Sequence, residues 1–90
     1  MSANNWKVYI LACADDTWYT GITNNLNARI EAHNQGTGAR YTWGRRPVRL
    51  LGYWEYTSRS EASRAEYRIK QLSRRQKRNL LKTALLPNRP

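Results

Sequence analysis

Two runs rich in β-forming residues, 6–13 and 18–23, lie on either side of Ala14-Asp15-Asp16-Thr17, and this arrangement commits the start of the chain to a β-hairpin. Side chains alternate between the two faces of a strand, so Val8, Ile10 and Ala12 share one face while Tyr9 and Leu11 share the other. In the second run Tyr19 and Gly21 alternate with Trp18, Thr20 and Ile22. Tyr9 and Tyr19 meet on one face of the hairpin if the register brings them together, and these residues leave the register open.

Asn24 and Asn25 are suited to cap a helix, because a short polar side chain can accept from the free N–H groups of a first turn. Leu26, Ile30 and His33 follow at helical spacing until Asn34-Gln35-Gly36 ends the pattern. A helix of about ten residues is predicted, with Arg29 and His33 on one side of it. Residues 36–46 hold glycines and bases without periodicity and read as a loop. Residues 48–56 form a third strand, too apolar for an exposed edge.

Ser58-Arg59-Ser60-Glu61 has the form of a capping box and opens a second helix, with an apolar stripe through Ala62, Ala65, Ile69 and Leu72. Ser73 is placed to cap a third helix that holds Leu80, Leu81 and Leu85 against a face of Arg74, Arg75, Lys77, Arg78 and Lys82. Glu66 lies within the stripe of the second helix, between Ala62 and Ile69. A carboxylate on a packing face costs free energy unless it is paired, hydrogen-bonded or bound to a cation.

Ninety residues are enough for one domain, residues 1–90, with a small core expected at about 6–84 and frayed ends. Sixteen Lys and Arg against six Asp and Glu give a formal charge of +10, and 12 of the 16 bases are Arg, whose planar fork suits phosphate. From Arg29 onward 15 bases face 4 acids; before it, Lys7 faces Asp15 and Asp16. Such an imbalance opposes compactness by self-repulsion and points to a polyanion partner. A single cysteine, Cys13, excludes an internal disulfide and reads as a small core residue. Without a secretory leader or a long apolar run, the chain is expected to be cytoplasmic, with no membrane partner.

One Cys and one His cannot build a structural zinc site, and no P-loop, G-x-G-x-x-G or G-x-S-x-G is present. The remaining polar set, Tyr9, Tyr19, Arg29, His33 and Glu66, fits metal-assisted phosphoryl transfer. Mg²⁺ needs only one or two carboxylates, with water and phosphate oxygens in its other positions, so Glu66 alone can anchor it or Mn²⁺. Arg29 can offset charge on the phosphate, and a tyrosine hydroxyl can activate or position water. A free phenol has a pKa of about 10, which a nearby metal and arginine would have to lower. Each residue also has a plainer reading: strand tyrosines covering a core, an exposed helix face for Arg29 and His33, and an ion pair of Glu66 with Arg59, Arg68 or Lys70.

Taken in order, these residues resemble the GIY-YIG endonuclease superfamily, specifically its small bacterial members. Val8-Tyr9-Ile10 stands at the first motif and Tyr19-Thr20-Gly21 at the second. Asn25-Leu26, Arg29 and His33-Asn34-Gln35-Gly36 are similar to the helix motif, and residues 62–70 to the segment with the metal-binding glutamate. The resemblance spans residues 6–81. It implies an α+β fold, a small three-stranded antiparallel sheet flanked by helices. It also implies Tyr9 as general base, Tyr19 and Arg29 as phosphate-positioning groups, His33 as support and Glu66 as metal ligand. Hydrolysis would leave a 5′-phosphate and a 3′-hydroxyl. Val8, Ile10 and Thr20 depart from the name-giving motif but keep both tyrosines. Ile22 stands where the excision-repair branch carries lysine, and the His-Asn-x-Gly pattern resembles the structure-specific resolvase branch.

The leading expectation is therefore a metal-dependent DNA endonuclease. In the basic loop, Trp43 is the candidate base-stacking residue and Arg40, Arg45 and Arg46 are candidate phosphate contacts. The competing readings are a non-catalytic DNA- or RNA-binding module and a nuclease subunit targeted by a protein partner or by homo-oligomerisation.

Overall fold

In the computed structural model, residues 5–86 are described; of the ends expected to fray beyond about 6–84, residues 1–4 and 87–90 lie outside them. β1 (Trp6–Ala12) and β2 (Trp18–Thr23) pair antiparallel, with Tyr9 opposite Gly21 and Leu11 opposite Tyr19. That register settles the open question of the hairpin: Tyr9 and Tyr19 are diagonal neighbours on one face, their ring centroids 6.3 Å apart. The turn is held by the Asp15 carboxylate, which accepts from the Thr17 hydroxyl at 2.6 Å and the Thr17 N–H at 3.2 Å. Asp16 takes a φ of 68°, a left-handed conformation that aspartate tolerates better than most residues.

β3 (Arg49–Tyr56) pairs antiparallel with the other side of β1, so the sheet order is β2-β1-β3. The apolar third strand thus lies at an edge, contrary to the simplest use of its composition. Its edge is nevertheless covered. Tyr53 and Leu85 exchange two backbone hydrogen bonds, 2.9 and 2.8 Å, so the C-terminal segment seals part of the row of N–H and C=O groups that an edge strand exposes.

One helix covers each face. α1 (Leu26–Gln35) starts at Asn25, whose side chain accepts from the Ala28 N–H, and stops at Gly36, which has a φ of 86°. On the face beneath it Tyr9, Leu11, Cys13 and Val48 are buried, packed with Leu26, Ile30, Leu50 and Tyr53. α2 (Arg59–Lys70) lies on the opposite face, where Ala62, Ala65 and Ile69 close over Val8 and Ile10. Only half of the expected capping box forms at its start. Ser58 accepts from the Glu61 N–H, while the Glu61 carboxylate takes the Thr57 hydroxyl instead of turning back to Ser58.

α3 (Arg74–Leu80) does carry a complete capping box, between Ser73 and Gln76. It is shorter than the leucine spacing suggests. A 3₁₀ turn, Leu81–Thr83, ends it, so Leu80 and Leu81 pack on the core while Leu85 leaves the helix to pair with β3. The fold is α+β, a three-stranded antiparallel sheet with helices on both faces. No helix among the described residues is long and apolar enough to cross a membrane.

Candidate active site

Tyr9 stands in the central strand with its side chain fully buried. A Cβ at Gly21, its cross-strand partner, would lie 2.5 Å from the Tyr9 hydroxyl oxygen and 3.0 Å from the Tyr19 ring. The missing side chain at Gly21 is therefore what lets the phenol lie across β2. From there its hydroxyl reaches His33 Nε2 at 2.9 Å. His33 is fully buried and packs edge-on against Tyr9 and Tyr19, with centroids 6.0 and 5.3 Å away. This overturns the exposed-face reading of His33 and brings it to both tyrosines. On its other side His33 Nδ1 meets Thr42 Oγ1 at 2.8 Å, and the Thr42 hydroxyl donates to the Ala39 carbonyl at 2.8 Å.

Burial pushes the Tyr9 phenol up to about 12; the Arg29 guanidinium alongside pulls against this, while Tyr19 and the Glu66 carboxylate add to the rise. The direction is opposite to the one a free-standing base needs. Burial, then the charge of Arg29, holds His33 below its usual value of 6.5. At neutral pH the pair is thus a neutral phenol beside a neutral imidazole, and the imidazole tautomer decides which of the two donates.

Tyr9 and His33 lie on the α1 face and Glu66 rides on α2, across the sheet. The two sides meet at the free edge of β2. Arg29 from α1 and Arg59 from α2 line one cavity of about 270 Å³ there, with Trp6, Ile22, Thr23 and Asn24. The Glu66 side chain is 21% exposed and pairs with Lys70 Nζ at 3.3 Å, so it borders the apolar stripe and the plain ion-pair reading is realised with Lys70. Among the described residues no three His, Cys, Asp or Glu side chains gather as a ready-made metal cage. One half-buried carboxylate that already attracts a cationic group fits a hard cation that keeps several waters and shares phosphate oxygens.

The basic loop is more ordered than its lack of periodicity suggests, with a 3₁₀ turn over Arg40–Thr42. Arg45 is spent on structure: it pairs with Asp15 at 2.9 Å, donates to the Tyr41 carbonyl at 2.7 Å and stacks on the Tyr41 ring. Arg46 donates to the Trp43 carbonyl at 2.9 Å. The Trp43 ring is 48% exposed; its N–H is turned inward to the Gly38 carbonyl, and Arg40 lies over the ring at 5.7 Å. Arg40, without an ion pair among the described residues, and Trp43 therefore present a cation and an exposed aromatic, whereas Arg45 and Arg46 hold the loop.

Three residues escape a reading by pattern. Thr42 is buried against His33, Tyr41 stacks toward Tyr19 at 5.7 Å, and Arg59 joins Arg29 at the sheet edge. Their only advance signal is that Thr42 is a small hydroxyl between two aromatics in a loop, and such a signal does not name a partner.

The GIY-YIG catalytic domain family matches residues 5–79. The UPF0213 protein of Halalkalibacterium halodurans is 51% identical over 77 residues, covering 86% of this chain and 82% of the relative. A solution NMR structure of the UPF0213 protein from Bacillus halodurans superposes with a TM-score of 0.56 at 49% identity, over 87% of this chain and 83% of the other. A solution NMR structure of an E. faecalis protein gives a TM-score of 0.59 at 40% identity, over 86% and 82%.

Proposed function

Because this chain belongs to the GIY-YIG family of nucleases, we propose that it is a metal-dependent DNA endonuclease in which Tyr9 and His33 together activate the attacking water. The observation that carries this reading is the buried hydrogen bond between the Tyr9 hydroxyl and His33 Nε2. A phenol with a pKa of about 12 is a poor base by itself. A phenol that passes its own proton to an imidazole as it receives one from water never has to exist as free phenolate. Water oxygen attacks phosphorus and gives its proton to the Tyr9 oxygen, and the Tyr9 proton moves to Nε2. The P–O3′ bond breaks, leaving a 5′-phosphate and a 3′-oxygen that takes a proton from solvent.

Arg29 and Arg59, at the β2 edge, hold the non-bridging phosphate oxygens, and the negative phosphate offsets the cost of an imidazolium near Arg29. Tyr19 positions the same group from the hairpin face. Glu66 would hold a divalent cation, Mg²⁺ or Mn²⁺, which supplies Lewis-acid charge on the phosphate. Lys70 must leave the carboxylate for this to happen. The test is Glu66→Ala assayed for cleavage and, in parallel, for DNA binding by anisotropy. Loss of cleavage by at least about a hundredfold with binding retained is expected. Full metal-dependent cleavage by this variant would falsify the assignment, and unchanged binding by a wild type that never cleaves would identify a binding module.

A further inference from the structure

Thr42 is fully buried, although Tyr41 and Trp43 on either side of it are exposed. Its one hydroxyl hydrogen lies between two neighbours, the Ala39 carbonyl oxygen and His33 Nδ1, each 2.8 Å away. A carbonyl oxygen can only accept. If the hydrogen turned to Nδ1, the hydroxyl and carbonyl oxygens would face each other with lone pairs alone at 2.8 Å. The reverse arrangement satisfies every group: Thr42 donates to Ala39, His33 Nδ1–H donates to Thr42, and the bare Nε2 accepts from Tyr9. Gly38 packs directly on the same ring, where a Cβ would lie 2.5 Å from Nδ1.

We propose that Thr42 is a positioning residue that locks His33 in the Nδ1–H tautomer, so that the nitrogen facing Tyr9 is always free to take a proton. The opposite tautomer would donate to Tyr9 and could not accept from it. A hydroxyl is the group required, because it must accept from the imidazole and donate to the carbonyl at once; valine has the same shape and does neither. The effect of Thr42 on rate rests on the reading of Tyr9 and His33 given above. The tautomer itself does not.

The chain contains one histidine, so ¹⁵N NMR of untagged, histidine-labelled protein reports a single imidazole and shows which nitrogen carries the proton. Wild type is expected as Nδ1–H at neutral pH. Thr42→Val is expected to shift the ring toward Nε2–H and to lower kcat by about tenfold or more, with KM changed by less than about twofold. Thr42→Ser should restore both. An Nε2–H wild type overturns the proposal, as does a Thr42→Val that keeps Nδ1–H and wild-type kcat. If Thr42→Val does not fold, Nδ1–H in both wild type and Thr42→Ser supports the lock and Nε2–H in either defeats it. If no form cleaves DNA, the nuclease reading fails while the spectra still decide what Thr42 does.

Discussion

Thr20 and Gly21 are neighbours in β2 with opposite problems. Gly21 has no room for a side chain because the Tyr9 hydroxyl occupies its space, whereas Thr20 is buried with a hydroxyl that has no hydrogen-bond partner among the described residues. A polar atom stranded in this way is a standing cost, and removing it without changing shape recovers that cost. Thr20→Val is therefore expected to stabilise the fold by about 1 kcal/mol, read as a higher urea midpoint with an unchanged slope; a lower midpoint would mean the hydroxyl has a partner.

His33 makes a second prediction. Its folded pKa lies below the unfolded value of about 6.5, since burial and Arg29 disfavour the imidazolium. The neutral acceptor, and the stability that goes with it, are present above pH 6.5 and lost as pH falls through the lower folded value. Cleavage should follow the same acidic limb while tryptophan fluorescence reports the chain still folded, and a limb centred above 6.5 would show that some other group controls the rate.

At the scale of elements, what could be read in advance was what is encoded locally. The hairpin follows from alternation in residues 6–23, and α1 from Asn25 at its start and Gly36 at its end. The position of β3 was not readable, because its composition speaks of burial while the group that buries its edge, Leu85, is some thirty residues away. The expected third helix forms from Ser73 but stops short of Leu85 for a related reason. Leucines at helical spacing look the same whether the last one packs in the helix or pairs with a strand. For the proposed site, Tyr9, Tyr19, Arg29, His33 and Glu66 could be nominated from their order, but the partners of His33 could not, since Thr42 comes from an aperiodic loop.

The cap of α1 tests how far that helix governs the site. Asn25→Ala removes the acceptor for the Ala28 N–H and should cost about 1 kcal/mol, measured by denaturation, with Asn25→Ser recovering most of it. An unchanged stability would mean that tertiary packing alone sets the start of the helix carrying Arg29 and His33.

For the whole molecule, the formal charge of +10 is divided between cations held in the fold and cations left free. Arg45 is committed to Asp15 and Tyr41, and Arg74 to the Asp16 carbonyl and the face of Trp18, whereas Arg40 lies exposed over Trp43. Each phosphate neutralised contributes roughly −0.9 to the slope of log K against log salt on duplex DNA. Arg40→Ala should make that slope shallower by about 1, and Arg45→Ala should leave it nearly unchanged while lowering stability. Equal losses of slope from both would show that the loop rearranges when it binds.

The sheet brings these parts together: α1 supplies Arg29 and His33 on one face, α2 supplies Arg59 and Glu66 on the other, and Arg29 and Arg59 meet in one cavity at the edge of β2. The claim that this edge is a phosphodiester-cleaving site is tested most directly with labelled single-stranded, duplex and forked DNA, incubated with Mg²⁺, Mn²⁺ or EDTA. Wild type is predicted to cut at least one of these with 5′-phosphate products, to stop in EDTA, and to lose the activity in Tyr9→Phe. No EDTA-sensitive cleavage of any substrate, or full cleavage by Tyr9→Phe, would contradict it.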